Sequence, residues 1–451
     1  MRAYPRYRDS GVEWLGDVPE QWGVRRLKSG GQLIGGSGFP EALQGDDSNE
    51  LPFFKVGDLD KAVSGRWMRT SENTVDRATA KKLGAKIIPA GSVVWAKIGA
   101  ALLLNRRRVT DVACCIDNNM SAYVPEPSKI NRDWALYWTS FLDFRQFANP
   151  GAIPSLSEGY QSGLPLLIPP LDEQVTIADY LDRETARIDT LIGKKRLLLE
   201  RLDEQRTALI SNVVTHGLPP DAARAAGLDP APRFKPSGVE WLGDVPEHWS
   251  VRRFRSMLRS PLSYGVLKPE RYDEADGIRL IRILDVTAGL DDDVLVRVSP
   301  AQSNEYRRTI VKEGDLVLSV VGTIGECFTV PNHLAGANLS RALARVQLDD
   351  GMSSAFVSGF FHSRAFKDWT DSIVRGTAQA VLNLGQLDDL KIPVPPTEEQ
   401  RAIVDYLDYE TARIDTLAAA VAQAIERLSE YRTALITAAV TGQIDVTGAS
   451  S

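Results

Sequence analysis

The feature that most constrains this chain is a block of sequence written twice. Residues 10–22 read SGVEWLGDVPEQW and residues 237–249 read SGVEWLGDVPEHW, differing only at Gln21 against His248. A second shared block closes each half. DYLDRETARIDT at 179–190 returns as DYLDYETARIDT at 405–416, and ERLDEQRTALI at 200–210 returns as ERLSEYRTALI at 426–436. The stretches between these blocks barely match. Internal repetition decides the fold before local propensity does. A fixed frame holding two different inserts suits a reader with two independent specificities.

The closing block carries a helical signal. Pro169-Pro170 and Pro395-Pro396 stop the strand-like runs before them. Thr397 can cap the second helix with Gln400 closing a capping box, and Asp172 takes the capping role in the first copy. Apolar residues then recur at 4-3 spacing through Ile177, Leu181, Ile188, Leu191, Leu198, Leu202 and Leu209. The second copy repeats the seam through Ile403, Leu407, Ile414, Leu417, Val421, Leu428 and Leu435. A helix over 172–215 would run ~65 Å at 1.5 Å per residue. So long a helix with so narrow a seam needs a partner, and its twin is the obvious one, packed antiparallel about a pseudo-two-fold axis. The competing reading, an amphipathic helix packed on its own domain, fits the length poorly. His216-Gly217 and Gly442 are the expected ends.

The fold expected is therefore α+β: two mixed α/β domains separated by two long helices in an antiparallel coiled coil. The boundaries are 1–168 for the first domain, 169–216 for its helix and 217–236 for a Pro- and Ala-rich linker. The second domain follows over 237–394, its helix over 395–443 and a short polar tail over 444–451. Inside the inserts, strands are expected at 86–88, 92–95, 278–283 and 315–321, and helical stretches at 131–147 and 353–373. Ala90-Gly91-Ser92-Val93-Val94 faces Glu313-Gly314-Asp315-Leu316-Val317, so the inserts look like one fold with divergent surfaces.

Composition bounds the function. The 451 residues suffice for two to four domains. No run of about 18 apolar residues exists to span a membrane, and the first residues lack the apolar core of a secretory signal. Cys114, Cys115 and Cys327 make no disulfide framework, so a reducing, cytoplasmic setting is expected. The net charge of −6 is neutral evidence on nucleic acid. Basic clusters at Arg25-Arg26-Lys28, Arg106-Arg107-Arg108, Arg252-Arg253-Arg255 and Arg307-Arg308-Lys312 can still line a groove on an acidic chain.

Motifs for chemistry are missing. There is no phosphate-binding Gly-x4-Gly-Lys-Ser/Thr loop, no Gly-x-Ser-x-Gly elbow and no adenine-methyltransferase Asn/Asp-Pro-Pro-Tyr/Phe run. The four histidines have no metal-ligand spacing. Gly30, Gly31, Gly35, Gly36 and Gly38 read as a flexible turn. What remains suits recognition, because Asn, Gln and Arg carry paired groups that read base edges and small residues allow close approach. The candidates are Lys97, Asn105, Arg106, Arg107, Asn118, Asn119, Ser155 and Ser157 in the first insert. The second insert offers Arg282, Thr323, Asn338, Ser340, Arg341, Arg375 and Gln379. Taken singly, each is also ordinary loop chemistry.

With these residues in view, the chain resembles a type I restriction-modification specificity subunit over nearly its whole length. The resemblance rests on Glu13-Trp14-Leu15-Gly16, Pro19-Glu20-x-Trp22, Gly322-Thr323-Ile324-Gly325, Asn338-x-Ser340, the Pro-Pro-x-x-Glu-Gln helix starts and Gly376-Thr377-Ala378-Gln379. The first insert departs from it, with Lys97-Ile98-Gly99-Ala100 in place of Gly-Thr-Ile-Gly and Gly151-Ala152-Ile153-Pro154 in place of Gly-Thr-Ala-Gln. The resemblance implies two target-recognition domains, each reading half of a split double-stranded DNA target. It implies no catalysis and no cofactor in this chain. Two methyltransferase subunits holding S-adenosylmethionine would dock on the helices, and a translocase-nuclease subunit can join. The docking positions expected are Tyr180, Arg187, Arg206, Tyr406, Arg413 and Arg432. The alternative class is a coiled-coil scaffold binding protein only, which predicts no salt-dependent DNA affinity.

The frame-and-insert pattern predicts that exchanging the first insert for a foreign one changes one half-site and leaves the other. Lengthening both helices should change only the gap between half-sites. Motif mapping of the methylated DNA checks both, and a chimera that keeps both half-sites would contradict the pattern.

Overall fold

The 4-3 apolar repeat produces two long helices, as the sequence leads one to expect. The computed structural model describes residues 3–149, 151–287, 295–373 and 381–448. In it the helices are Leu171–His216 and Thr397–Val440. Ile177, Leu181, Ile188 and Ile192 are buried on the first, and Ile403, Leu407, Ile414 and Val421 on the second. Leu191, Leu198 and Leu417, which the spacing had put in the seam, are exposed. Ile192, Leu199 and Ala418 continue the stripe instead. Leucines on both flanks leave spacing alone with two registers, and the partner helix selects one. The helices run antiparallel. Arg432 donates to Asp189 at 2.9 Å, and Arg206 lies 3.2 Å from Asp415. As numbering rises on one helix its partner falls on the other.

The helix starts differ from expectation. Pro170 O accepts from Gln174 N at 2.9 Å, and Pro396 O accepts from Glu399 N and Gln400 N, each at 2.9 Å. The second proline of each pair thus occupies the cap position, and neither Asp172 nor Thr397 does. Gln174 and Gln400 are buried clamps. Gln174 Nε2 donates to Lys129 O and Pro169 O, and its Oε1 accepts from Asn131 N. Gln400 Nε2 donates to Gly351 O and Pro395 O, and its Oε1 accepts from Ser353 N. Asn131 and Ser353 cap the helices Arg132–Phe141 and Ser354–Phe361. Each carboxamide thereby joins the start of a long helix to the start of an insert helix, with its donors and acceptor satisfied.

The repeated opening block supplies a second joint. Trp22 is buried, and its Nε1 donates to Glu173 at 3.0 Å. Its ring packs edge-on against Tyr4 and Trp134, both at 5.6 Å. Gly442, at φ +72, ends the second helix so close to this ring that an added Cβ would lie 3.2 Å from it and 2.3 Å from Pro19 Cδ. Trp249 takes the matching place beside Gly217, which ends the first helix at φ +87. There His248 Nε2, not the indole, holds Glu399 at 2.7 Å, and the buried Trp249 Nε1 has no hydrogen-bond partner among the described residues. The one difference between the repeated blocks thus has a structural effect.

Two compact units result. The first comprises 1–194 and 424–451, the second 195–423. In the first, strand Gly23–Arg26 pairs antiparallel with Pro165–Ile168. Between them lies a five-stranded sheet in the order Gly31–Gly35, Met120–Pro125, Val93–Ala96, Arg108–Thr110, Trp67–Met68. A three-stranded sheet joins Cys115–Ile116, Leu51–Phe54 and Thr74–Val75, the first pair parallel. In the second unit Ser250–Arg253 pairs with Lys391–Val394 and encloses two three-stranded sheets. One holds Val296–Val298, Ile278–Ile281 and Asn338–Leu339, the last pair parallel. The other holds Cys327–Thr329, Leu316–Ser319 and Leu343–Val346, all antiparallel.

Several local expectations are corrected. Gly31 and Gly35 lie in a strand, and Gly30, Gly31 and Gly36 sit where a Cβ would strike packed neighbours; tight packing, not a flexible turn, requires glycine at those three. Residues 86–88 contribute only a bridge from Ile88 to Cys114. The strand expected over 278–283 ends at Ile281, and 353–373 splits into Ser354–Phe361 and Arg364–Ile373. The 217–236 stretch contains the helix Pro220–Ala225 and the strand Phe234–Pro236. Val446 in the tail is buried in the first unit's core. No helix among the described residues is long and apolar enough to cross a membrane.

The two helix ends generate a graded prediction. Gly442→Ala meets both a left-handed φ and Pro19, so it should cost about 2–3 kcal/mol. Gly217→Ala meets the left-handed φ with only ordinary contacts and should cost roughly 1–2 kcal/mol. Thermal unfolding of the two variants should rank them in that order.

Candidate nucleic-acid interface

Equivalent loops leave the central strands of both inserts. Gly99 follows Val93–Ala96 at φ +77, and Gly322 follows Leu316–Ser319 at φ +83. Ile98 bridges Ser155, and Val321 bridges Val381. Leu156 N donates to Lys97 O at 2.9 Å, and Leu382 N to Val320 O at 2.8 Å. Gly99 therefore corresponds to Gly322, a two-residue shift from the motif alignment. Lys97 stands at a strand end and not in the glycine turn. Its side chain is only 13% exposed and its Nζ lies 2.6 Å from Glu158. Thr323 is exposed in its turn. Ser155 is half-buried, and Ser157 caps Glu158–Gly163 as Asn383 caps Leu384–Asp389.

Other candidates turn inward. Arg107 is 5% exposed. Its guanidinium donates to Thr139 O, Leu142 O and Asn105 Oδ1 and stacks 3.7 Å above Phe144. Burial brings its pKa down to about 9, against a weak opposing pull from Asp143. Asn105 also accepts from Phe144 N at 3.0 Å, at φ +51. Asn338 is fully buried, donating to Ser303 and accepting from Thr309 Oγ1. Ser340 is 8% exposed. Arg107, Asn105, Asn338 and Ser340 are thus structural and leave the candidate surface. Arg375 and Gln379, with the rest of the 376–379 element, lie outside the described residues.

The outward set is smaller. Asn118 and Arg341 are exposed, and Arg341 has no acidic partner among the described residues. Asn119 is half-buried, its N bonded to Asp117 at 2.6 Å. Arg106 pairs with Asp60, and Arg282 makes a two-point contact with Asp285 at 2.7 and 3.0 Å. Lys55 was passed over in the sequence. It precedes Asp58 as Arg282 precedes Asp285, and the offset of the opening blocks, applied to the inserts, would have aligned them.

Each unit also has a cleft beside its long helices. In the first, about 720 Å³ is lined by Arg66, Arg106, Arg107, Arg108 and Arg432 together with Asp182 and Asp189. Arg66 pairs with Asp133 and with Asp182, the latter at 2.6 Å, and Tyr137 also donates to Asp182. Much of that charge is internally neutralised. In the second, about 610 Å³ is lined by Gly322, Ile324, Gly325, Arg364, Lys367 and their neighbours. Among the described residues no group of three or more His, Cys, Asp or Glu could hold a metal. Burial pushes the Cys115 thiol up to about 11 and the Cys327 thiol up to about 12, so neither supplies a thiolate at neutral pH.

On the helices, Arg206 and Arg432 are spent on the ion pairs between the helices, not on an outer face. Tyr180 and Tyr406 are half-buried against their units' cores. Arg187 and Arg413 point outward, 74% and 63% exposed, beside Glu184 and Glu410.

Comparisons with known proteins agree with this architecture. The type I restriction modification DNA specificity domain matches residues 19–201 and 267–427. The EcoBI specificity subunit of Escherichia coli is 28% identical over 290 residues, 62% of this chain and 58% of that protein. The chain thus spans less than two thirds of that relative. A putative MjaX specificity subunit of Methanocaldococcus jannaschii is 21% identical over 443 residues, 96% of each chain. Among solved structures, a chain from work on type I R-M complex assembly and conformational transition superposes with a TM-score of 0.64 at 16% identity. That superposition covers 95% of this chain and 99% of the other, and it speaks to the fold. Both named relatives are described as specificity subunits of type I restriction enzymes. With the family domain matched on both sides of the repeat, the chain belongs to the type I restriction-modification DNA specificity family.

Proposed function

We propose that this chain is the non-catalytic subunit that gives a type I restriction-modification complex its DNA target. Each insert reads one half of a bipartite double-stranded sequence. The observation that carries the reading is the constancy of the joints against the divergence of the inserts. Gln174 and Gln400 make the same three contacts, while the loops they hold share almost no sequence. Phosphate contacts would position the duplex, and side chains on the insert loops would specify it.

The outward faces of the helices, including Arg187 and Arg413, are the docking surface for two methyltransferase subunits. Those subunits would carry S-adenosylmethionine and the chemistry, with a translocase-nuclease subunit able to join. The complex would act in the cytoplasm, on chromosomal or invading DNA.

Methylation of host DNA with and without this gene, beside its partner methyltransferase, tests the proposal. Loss of methylation at one bipartite motif is the expected outcome. An unchanged methylome, with the complex shown to form, would leave only a protein-binding scaffold.

A further inference from the structure

We infer that the sequence-reading edge of each unit lies where its parallel strand pair ends. Its specificity-determining residues are Lys55 and Asn118 in the first unit and Leu284 and Arg341 in the second. The inference rests on the function proposed above and says where on each unit the reading is done.

Parallel strands deliver both chain ends to the same side of a sheet. In the first unit Leu51–Phe54 and Cys115–Ile116 do so, and in the second Ile278–Ile281 and Asn338–Leu339. Beyond the strands the backbone is pinned identically. Asp117 N donates to Phe54 O, and Ser340 N to Ile281 O, both at 2.9 Å. Lys55 N donates to the Asp58 carboxylate, and Arg282 N to that of Asp285, both at 2.8 Å. A third segment closes the edge, with Ser37 bridging Asp117 and Val266 bridging Ser340. The residue before each bridge must be glycine. A Cβ on Gly36 would lie 2.0 Å from Asp117 O, and one on Gly265 2.0 Å from Leu339 O.

This frame is the same in two inserts that otherwise barely match, yet the side chains it carries differ. Gly57 stands where Leu284 stands in the other unit, and Asn118 where Arg341 stands. Leu284 is 69% exposed, more than any other large apolar side chain among the described residues, and nearby Leu267 is 53% exposed. Carried on the same sheet edge, an exposed leucine suits a thymine methyl and a guanidinium suits a guanine in the major groove, whereas an exposed carboxamide suits adenine. Lys55 Nζ donates to Gln44 at 2.8 Å and has no carboxylate partner among the described residues. Its charge is therefore available to DNA. Arg282, clamped on Asp285, belongs to the frame.

The test uses the full chain assembled with its methyltransferase partners. The methylated motif is mapped for wild type, K55A, N118A, L284A and R341A. L284A and R341A should relax one or two positions in the half-site that follows the second insert. K55A and N118A should do the same only in the other half-site. At a relaxed position, discrimination should fall roughly tenfold or more. An unchanged motif in all four variants overturns the inference. So does an even fall in methylation across all sites, the mark of phosphate contact. In both cases the wild-type bipartite motif would still support the proposed function. A wild-type chain that directs no motif removes that function and the inference with it. Where an alanine variant melts early, the conservative K55R, N118Q, L284M or R341K is mapped instead. R341K should still relax its position, since lysine cannot make the two-point contact of arginine.

Discussion

Everything in each unit hangs on one joint, where the start of one long helix, the end of the other and the repeated opening block meet. In the first unit Trp22 fills that joint, bonded to Glu173 and stacked against the glycine end at 442. Buried tryptophan contributes a large apolar area and a single donor that must find a partner. Here the partner is a carboxylate in the first turn of a helix, where a negative charge also suits the helix dipole. Beside it Gln174 fixes the insert helix at Asn131. The joint thus sets the orientation of the insert before any insert residue contributes.

The second unit builds the joint with a different bond. His248 takes the carboxylate, and the buried Trp249 indole NH has no partner among the described residues. An unsatisfied buried donor costs on the order of 1–3 kcal/mol, set against the new His–Glu contact. Two near-identical sequence blocks can therefore sit in the same place with different internal chemistry, and a one-residue difference is enough to do it.

The frame was legible in the sequence, and the surface was not. Two long helices, their antiparallel pairing and the glycine ends followed from the 4-3 spacing and from Gly217 and Gly442. The start signals were misread because a Thr-x-x-Gln pattern at 397–400 fits a capping box as well as it fits a buried clamp, and only the position of Ser353 decides. Among the candidate contacts, Arg107 and Asn338 have the right chemistry for base edges but point into cores, a fact set by tertiary packing. Asn118 and Arg341 could not be told from them by residue type. Lys55 was missed because one lysine before Val-Gly-Asp carries no signal until it is aligned with Arg282.

The division of the chain into its units has a consequence for synthesis. The second unit is one continuous stretch, 195–423, whereas the first needs 424–451 to complete it. Val446, Ala439 and Val440 are part of the first unit's core, and Tyr7 donates to Gly442 O at 2.9 Å. A chain emerging from the ribosome N-terminus first therefore finishes the requirements of its later-encoded half before those of its earlier one. Trp22 waits for a glycine made 420 residues after it. Until 424–451 has been made, the first unit stays open along one side of its core. Domains usually fold in the order they are made; here the order of completion is reversed.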